Sequence, residues 1–193
     1  MDKELFNYYK SSLVNGLCND YKGYWQAANN DKEKLIKLAL SQQALPHVIT
    51  YCENGLGLTK DYLMTSFKDY INGYVVNDAD DVKGYTYSLY VGKKGQINVT
   101  TDVLAMLWCD VPQVQIKATT CPILYVGAKS DVHIVCDGYN MPRIYMFGES
   151  HVTLDDVDEN SRIVIYKYSD KCKVDKGKFC LGEVNEFNKD LRL

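Results

Sequence analysis

The sequence predicts an α+β chain, with short N-terminal helices followed by a β-hairpin and a short β-solenoid, and three observations carry that prediction. Apolar residues recur at helical spacing up to Tyr74. A polar connection follows, and after it the hydrophobic period drops to 2. Paired apolar residues then return at an interval of about 20 residues, the mark of stacked repeats.

The helical half spans residues 1–75. Leu35, Leu38 and Ala39 share a stripe behind Asp31, a good N-cap, with Lys32, Glu33 and Lys37 on the other face. Pro46 suits the first turn of a helix through Val48, Ile49 and Cys52, and Gly55 is placed to end it. Thr59 caps a segment whose Tyr62, Leu63, Phe67, Tyr70 and Ile71 form one stripe, closed by Asn72-Gly73. Three or four short helices are expected. From Val75 to Lys83 the turn formers Asn77, Asp78, Asp80 and Asp81 break the pattern and mark the boundary. The repetitive β-rich half occupies residues 82–193, and a chain of this length suits one body in which both halves pack together.

Tyr85, Tyr87 and Leu89 alternate with Thr86, Ser88 and Tyr90, Gly92-Lys93-Lys94-Gly95 makes a turn, and Ile97 and Val99 alternate with Asn98 and Thr100. That pattern predicts the hairpin. Beyond it come the pairs Val114/Ile116, Leu124/Val126, Val132/Ile134, Ile144/Met146, Val152/Leu154, Ile163/Ile165 and Cys172/Val174. Alternate pairs start 18, 20, 20, 19 and 20 residues apart, so two interleaved series share one period. Tyr125, Ser130, Val132 and Ile134 return 20 residues later as Tyr145, Ser150, Val152 and Leu154. A solenoid stacks such strands coil on coil, and an antiparallel β-sandwich is the alternative with the same strand spacing. Val132, Ile134, Val152, Leu154, Ile163 and Ile165 are then expected in one core. The alternate positions Tyr125, Val135, Tyr145, Phe147, Val164, Tyr166 and Tyr168 are too apolar for water, so the helices or a second copy should cover them.

Charge and cysteine usage narrow the partners. With 22 basic and 25 acidic residues, and a net charge of −3, there is no broad positive field, which disfavours nucleic acid. The longest uncharged apolar run, Val103 to Cys109, falls far short of the roughly 20 residues that span a bilayer, so no membrane is expected. The opening Met1-Asp2-Lys3-Glu4-Leu5 has no secretory pattern. The seven cysteines, Cys18, Cys52, Cys109, Cys121, Cys136, Cys172 and Cys180, have irregular gaps that argue against a disulfide framework. Reduced, mostly buried thiols in a cytoplasmic protein are the expectation.

No constellation carries chemistry. His47 and Cys52 are five apart, about 140° around a helix, and so do not make a nucleophilic pair. His133 and His151 begin two strands of the repeat and read as exposed strand positions without nearby ligands. The closest cysteines, Cys172 and Cys180, are too far apart in sequence for a zinc knuckle. Asp155, Asp156, Asp158 and Glu159 lack the glycine and glutamate of a calcium loop, and read as a solvated turn, like Asp78, Asp80 and Asp81. Gly55-Leu56-Gly57 has no preceding strand or following lysine to make a phosphate loop, and no Gly-x-Ser-x-Gly elbow occurs. No catalytic residue, cofactor or metal ligand is assigned.

The phrases Leu45-Pro46-His47, Thr59-Lys60-Asp61-Tyr62-Leu63, Cys136-Asp137-Gly138-Tyr139-Asn140 and Tyr166-Lys167-Tyr168-Ser169-Asp170 resemble those of small proteins from bacteriophages and mobile elements of gut bacteria. The resemblance implies a genomic setting, with residence in the host cytoplasm, and no activity. The expected function is a non-catalytic interaction protein of that setting, an accessory or virion-associated factor. It would meet a protein partner, or itself, through Tyr125, Tyr145, Phe147, Tyr166 and Tyr168, since tyrosine is enriched at interfaces and the chain has 16. The alternatives are a small enzyme at the junction of the halves, starting from His47, Cys52 and Asp61, and a carbohydrate-binding solenoid.

Overall fold

A computed structural model describes residues 3–14, 19–41, 43–56, 58–77 and 84–189. Cys18, Gly57, Asp78, Asp80, Asp81, Val82 and Lys83, named above, lie outside the described residues. The helical half holds α1 (Lys3–Val14), α2 (Asn19–Ala28), α3 (Lys32–Ala39), α4 (Leu45–Glu53) and α5 (Lys60–Ser66), so five α-helices are described rather than three or four. Asp31 caps α3 by accepting from the Glu33 and Lys34 N–H groups at 3.0 and 3.2 Å. Thr59 caps α5 by accepting from the Tyr62 N–H at 3.2 Å. Pro46 sits in the first turn of α4, and Gly55 follows its end in the left-handed region at φ +66°.

The stripe expected to run through Ile71 is interrupted after Ser66, where Phe67 leaves helical geometry and Lys68–Tyr70 tighten into a 3₁₀ turn. Asn72 then ties this end to the sheet. Its Oδ1 accepts from the Val91 N–H at 2.9 Å and its Nδ2 donates to the Val91 carbonyl at 3.2 Å.

The second half contains β1 (Val75–Asn77), β2 (Thr86–Val91), β3 (Ile97–Asn98), β4 (Val103–Leu107), β5 (Asp110–Ile116), β6 (Ile123–Gly127), β7 (Asp131–Cys136), β8 (Arg143–Met146), β9 (His151–Val157), β10 (Arg162–Lys167), β11 (Lys173–Lys176) and β12 (Glu183–Asn188). Sheet A runs β1-β2-β4-β6-β8-β10-β12 and sheet B runs β11-β9-β7-β5-β3. Successive strands from β2 onward alternate between the sheets, and every pairing is parallel except that of β1 with β2. The result is a β-solenoid of about five turns, and the antiparallel sandwich does not form.

The strands on either side of Gly92–Gly95 are not a hairpin, because β2 lies in sheet A and β3 in sheet B. Both edges of β2 are occupied, by β1 and β4. Gly92 adopts φ +62° and donates its N–H to the Leu107 carbonyl, so the turn bonds forward to the next coil instead of folding back. The same left-handed corner recurs at Trp108, Ala128 and Gly148, with φ of 51°, 50° and 59°. Two of these four positions are glycine, which adopts that region without strain.

The solenoid interior is one core in which Val132, Ile134, Val152, Leu154, Ile163 and Ile165 are completely buried. A second core lies between the helices and sheet A, where Leu40, Leu45, Ile49 and Phe67 meet Tyr87, Leu89, Leu107, Tyr125 and Phe147. Sheet A is therefore the middle of three layers. All five residues of β4 are buried, since one face meets helices and the other the coil interior. A strand covered on both faces reads as a continuous apolar run, as Val103–Leu107 does.

The inward columns change character toward the last coil. Register carries Leu104 through Leu124, Ile144 and Ile165 to Glu186, and Met106 through Val126 and Met146 to Lys167 and Asn188. Lys167 meets Glu186 at 3.1 Å and Lys176 meets it at 3.8 Å. Polar groups thus replace hydrocarbon in two of the final inward columns while Val184 continues the third, a change suited to the end repeat of a solenoid. Among the described residues no helix is long and apolar enough to cross a membrane.

Candidate functional site

Parallel in-register pairing stacks like on like, so residues one coil apart on the outer face of sheet A form columns along the solenoid axis. Tyr125, Tyr145, Tyr166 and Phe187 make one such column. Their ring centroids step by 5.0, 5.1 and 5.6 Å, with interplanar angles of 15°, 23° and 26°. Beside it Phe147 and Tyr168 stack at 5.0 Å and 11°. Phe187 belongs to the ladder although no sequence argument singled it out, and its place one coil after Tyr166 was the available signal.

The helices do not cover this face completely. Tyr125 and Phe147 are buried, Tyr145, Tyr166 and Tyr168 are half-buried, and Phe187 is 47% exposed. The cover stops because α5 rests on β2 and α4 on β6, while an α-helix is only about 10 Å wide, two strand spacings. Val135 is also not part of the stripe, since it lies on β7 and faces outward from sheet B.

Glu53, at the C-terminal end of α4, fixes where the helical layer ends. Its Oε1 accepts from the Ala128 N–H at 2.9 Å. A Cβ on Gly148 would approach that same oxygen to 2.5 Å, and one on Gly127 would approach the Ile49 Cγ2 to 2.5 Å. Burial pushes the Glu53 carboxyl above its ordinary value, opposed by the hydrogen bond from Ala128. Burial likewise pushes up the Tyr125 hydroxyl, reinforced by Tyr145 and Tyr168, and the Tyr168 hydroxyl, reinforced by Tyr145 and Tyr166.

Charges border the uncovered rings at both ends of the strands. Lys129 and Lys171 meet Glu149 at 3.4 and 3.1 Å along one border, and Arg162 meets Glu183 at 3.8 Å along the other. Stacking leaves little ring face available, because Tyr145 and Tyr166 each have an aromatic neighbour on both sides. What this surface offers is ring edges and phenolic oxygens.

On sheet B the two strand histidines do have partners, contrary to the expectation from sequence. His133 Nδ1 lies 3.0 Å from Asp155 Oδ2. His151 Nδ1 lies 3.1 Å from Asp131 Oδ1, and its Nε2 lies 2.8 Å from Asp175 Oδ2. Among the described residues no group of three or more His, Cys, Asp or Glu is placed to hold a metal ion.

The junction residues are not brought together. His47 and Asp61 are exposed, while Cys52 is buried, and burial, with the Glu53 charge adding to it, pushes its thiol up to about 12. The void between helices and sheet is about 30 Å³, apolar and lined by Leu5, Tyr8, Trp25, Leu40, Phe67 and Leu107, room for water and not for a substrate. Cys109, Cys136 and Cys172 are buried as expected, with the first two thiols pushed up by burial to about 11 and 12. Cys121, in the segment before β6, is exposed.

These observations define a helix-covered β-solenoid with an aromatic ladder that outruns its cover. Comparison with protein families, curated proteins and solved structures finds no match to this chain.

Proposed function

We propose that the protein is a non-catalytic binding protein that receives a protein partner on the uncovered part of the ladder, Tyr145, Tyr166, Tyr168 and Phe187. The observation that carries this reading is the mismatch between ladder and cover: six stacked rings, of which the helices bury Tyr125 and Phe147. An aromatic centre with a charged border has the anatomy of a protein interface. Carbohydrate recognition is less well served, because sugars pack against ring faces and here the faces are turned to one another. The setting proposed with it is that of an accessory or virion-associated factor of a bacteriophage or mobile element.

The test is affinity capture from the native host with the wild-type chain and with the double variant Tyr166→Ala/Tyr168→Ala, followed by mass spectrometry. A protein retained by the wild type and by a Thr153→Ala control on sheet B, and lost by the double variant, supports the reading. Identical captures with all three chains contradict it. Light scattering separates a second copy from a foreign partner, since self-association raises the mass of the purified wild type and not of the double variant.

A further inference from the structure

We propose that His151 is a protonation-operated clip that holds β11, the edge strand of sheet B, onto the solenoid. It stands apart from the binding role of the ladder. Its basis is that both ring nitrogens face a carboxylate, each from a different neighbouring strand: Asp131 on β7 at 3.1 Å and Asp175 on β11 at 2.8 Å. A neutral imidazole has one N–H and one lone pair, so it can donate to only one of these carboxylates and repels the other. The imidazolium donates to both. His151 in its charged form therefore links three successive coils, and in its neutral form it links two.

The second observation is how little else secures β11 beyond the contact of Lys176 with Glu186 at 3.8 Å. It pairs only with β9, through Lys173 opposite His151 to Lys176 opposite Leu154. Of its four residues three are exposed, and inward-facing Val174 is only half-buried. By contrast β7 has partners on both sides and buries Val132, Ile134 and Cys136. An edge strand with one half-buried side chain sits at the low end of local stability, where a single charge-assisted bridge matters.

The charged groups facing the ring are Asp131 and His133 from β7, Lys173 and Asp175 from β11, and Asp155 farther along its own strand. Lys173 opposes the imidazolium, and the two bonded carboxylates outweigh it. Partial burial works against the charged ring, and the hydrogen bonds that the ring donates to Asp175 and Asp131 overcome it, raising the imidazole above its ordinary value. The sign follows: a raised imidazole contributes stability that is complete below the unfolded value and is lost as pH rises through the folded one. His133 is different, because it meets one carboxylate, Asp155, and a neutral ring with the proton on Nδ1 can still donate to it.

The experiment is amide hydrogen exchange on the full chain from about pH 5.5 to about pH 8.5, the range in which imidazoles change charge. The probes are Lys173 and Gly177, whose N–H groups donate to the Ser150 and Leu154 carbonyls at the two ends of β11, each divided by β7 amides of the same molecule. Taking the ratio removes the intrinsic dependence of exchange on pH. The β11 ratio should climb as pH rises in the wild type, stay flat in His151→Gln and Asp175→Asn, and climb unchanged in His133→Gln. A flat wild-type ratio, or a climb that persists in His151→Gln, overturns the proposal. A ring titration of His151 followed by NMR should also fall in Asp175→Asn, and an unchanged titration there overturns it independently.

Discussion

Strands β4 and β12 belong to the same sheet and differ in almost everything that surrounds them. Every residue of β4 is buried, whereas β12 has five exposed residues and a half-buried Val184. One is covered by helices outside and by hydrocarbon inside; the other presents rings outward and carries Glu186 at an inward position where earlier coils have Leu104, Leu124, Ile144 and Ile165. The parallel pairing along sheet A continues unbroken from one to the other. Exposure along this solenoid is set by the helical layer and by the residues chosen at each column, with the coil itself as a constant.

That contrast can be broken most sharply by truncating one ring at each end of the ladder. Phe147→Ala removes a ring under the helices and should cost about 3–5 kcal/mol. Phe187→Ala removes a ring at the open end and should cost about 1 kcal/mol, the scale of one aromatic stack. Equal shifts in chemical denaturation would mean the helices do not lie where they do here. Ile134→Ala, in the solenoid interior, should lower stability by about 2–5 kcal/mol through a cavity no neighbour can fill. An unchanged midpoint would contradict its complete burial.

Smaller effects probe the boundary between the two regions. Gly127→Ala pushes a methyl group toward Ile49 and Glu53 and should cost about 1–3 kcal/mol, with α4 displaced rather than the strand. Near-UV circular dichroism of the helical aromatics checks this. Glu53 gives a pH handle. Because burial raises its carboxyl, the contribution is complete below the ordinary carboxylate value and is lost as pH rises through the raised one. Glu53→Gln should therefore flatten the fall in Tm as pH rises above the ordinary carboxylate range, and a slope identical to the wild type would assign that fall to another group. Smallest in structural terms, a thiol reagent at neutral pH should modify Cys121 rapidly while Cys52 and Cys136 lag, and Cys121→Ser should lower the fast phase by one thiol.

The solenoid was legible because its register is written in the sequence: Val132 and Val152, 20 residues apart, are direct neighbours, and so are Tyr125 and Tyr145. The hairpin expectation failed at the first coil for a local reason. Alternation on either side of Gly92–Gly95 identifies two strands but not their partners, and here each pairs with the following coil. Helical periodicity likewise puts Leu35, Leu38 and Ala39 on one stripe, where the structure buries Leu35 and half-buries the other two, and it does not show how far along the sheet their layer reaches. The Asp131 contact of His151 spans one coil length and was accessible in principle. Its contact with Asp175 spans a coil plus two residues, a diagonal that only the placed side chains disclose.

The similar length of successive coils has a kinetic consequence. Residue 87 pairs with 103 and residue 151 with 173, so each parallel pairing closes a loop of about the same length, 16 to 22 residues. Closure entropy depends only logarithmically on loop length, so adding any one coil to a formed neighbour costs nearly the same as adding another. Folding can then start at one coil and propagate outward in near-identical steps. The favourable starting place is the pair of coils around β4 and β6, where each strand gains two buried faces. The last coil, with Glu186 and Asn188 at two of its inward positions, joins at the end and is the first to leave.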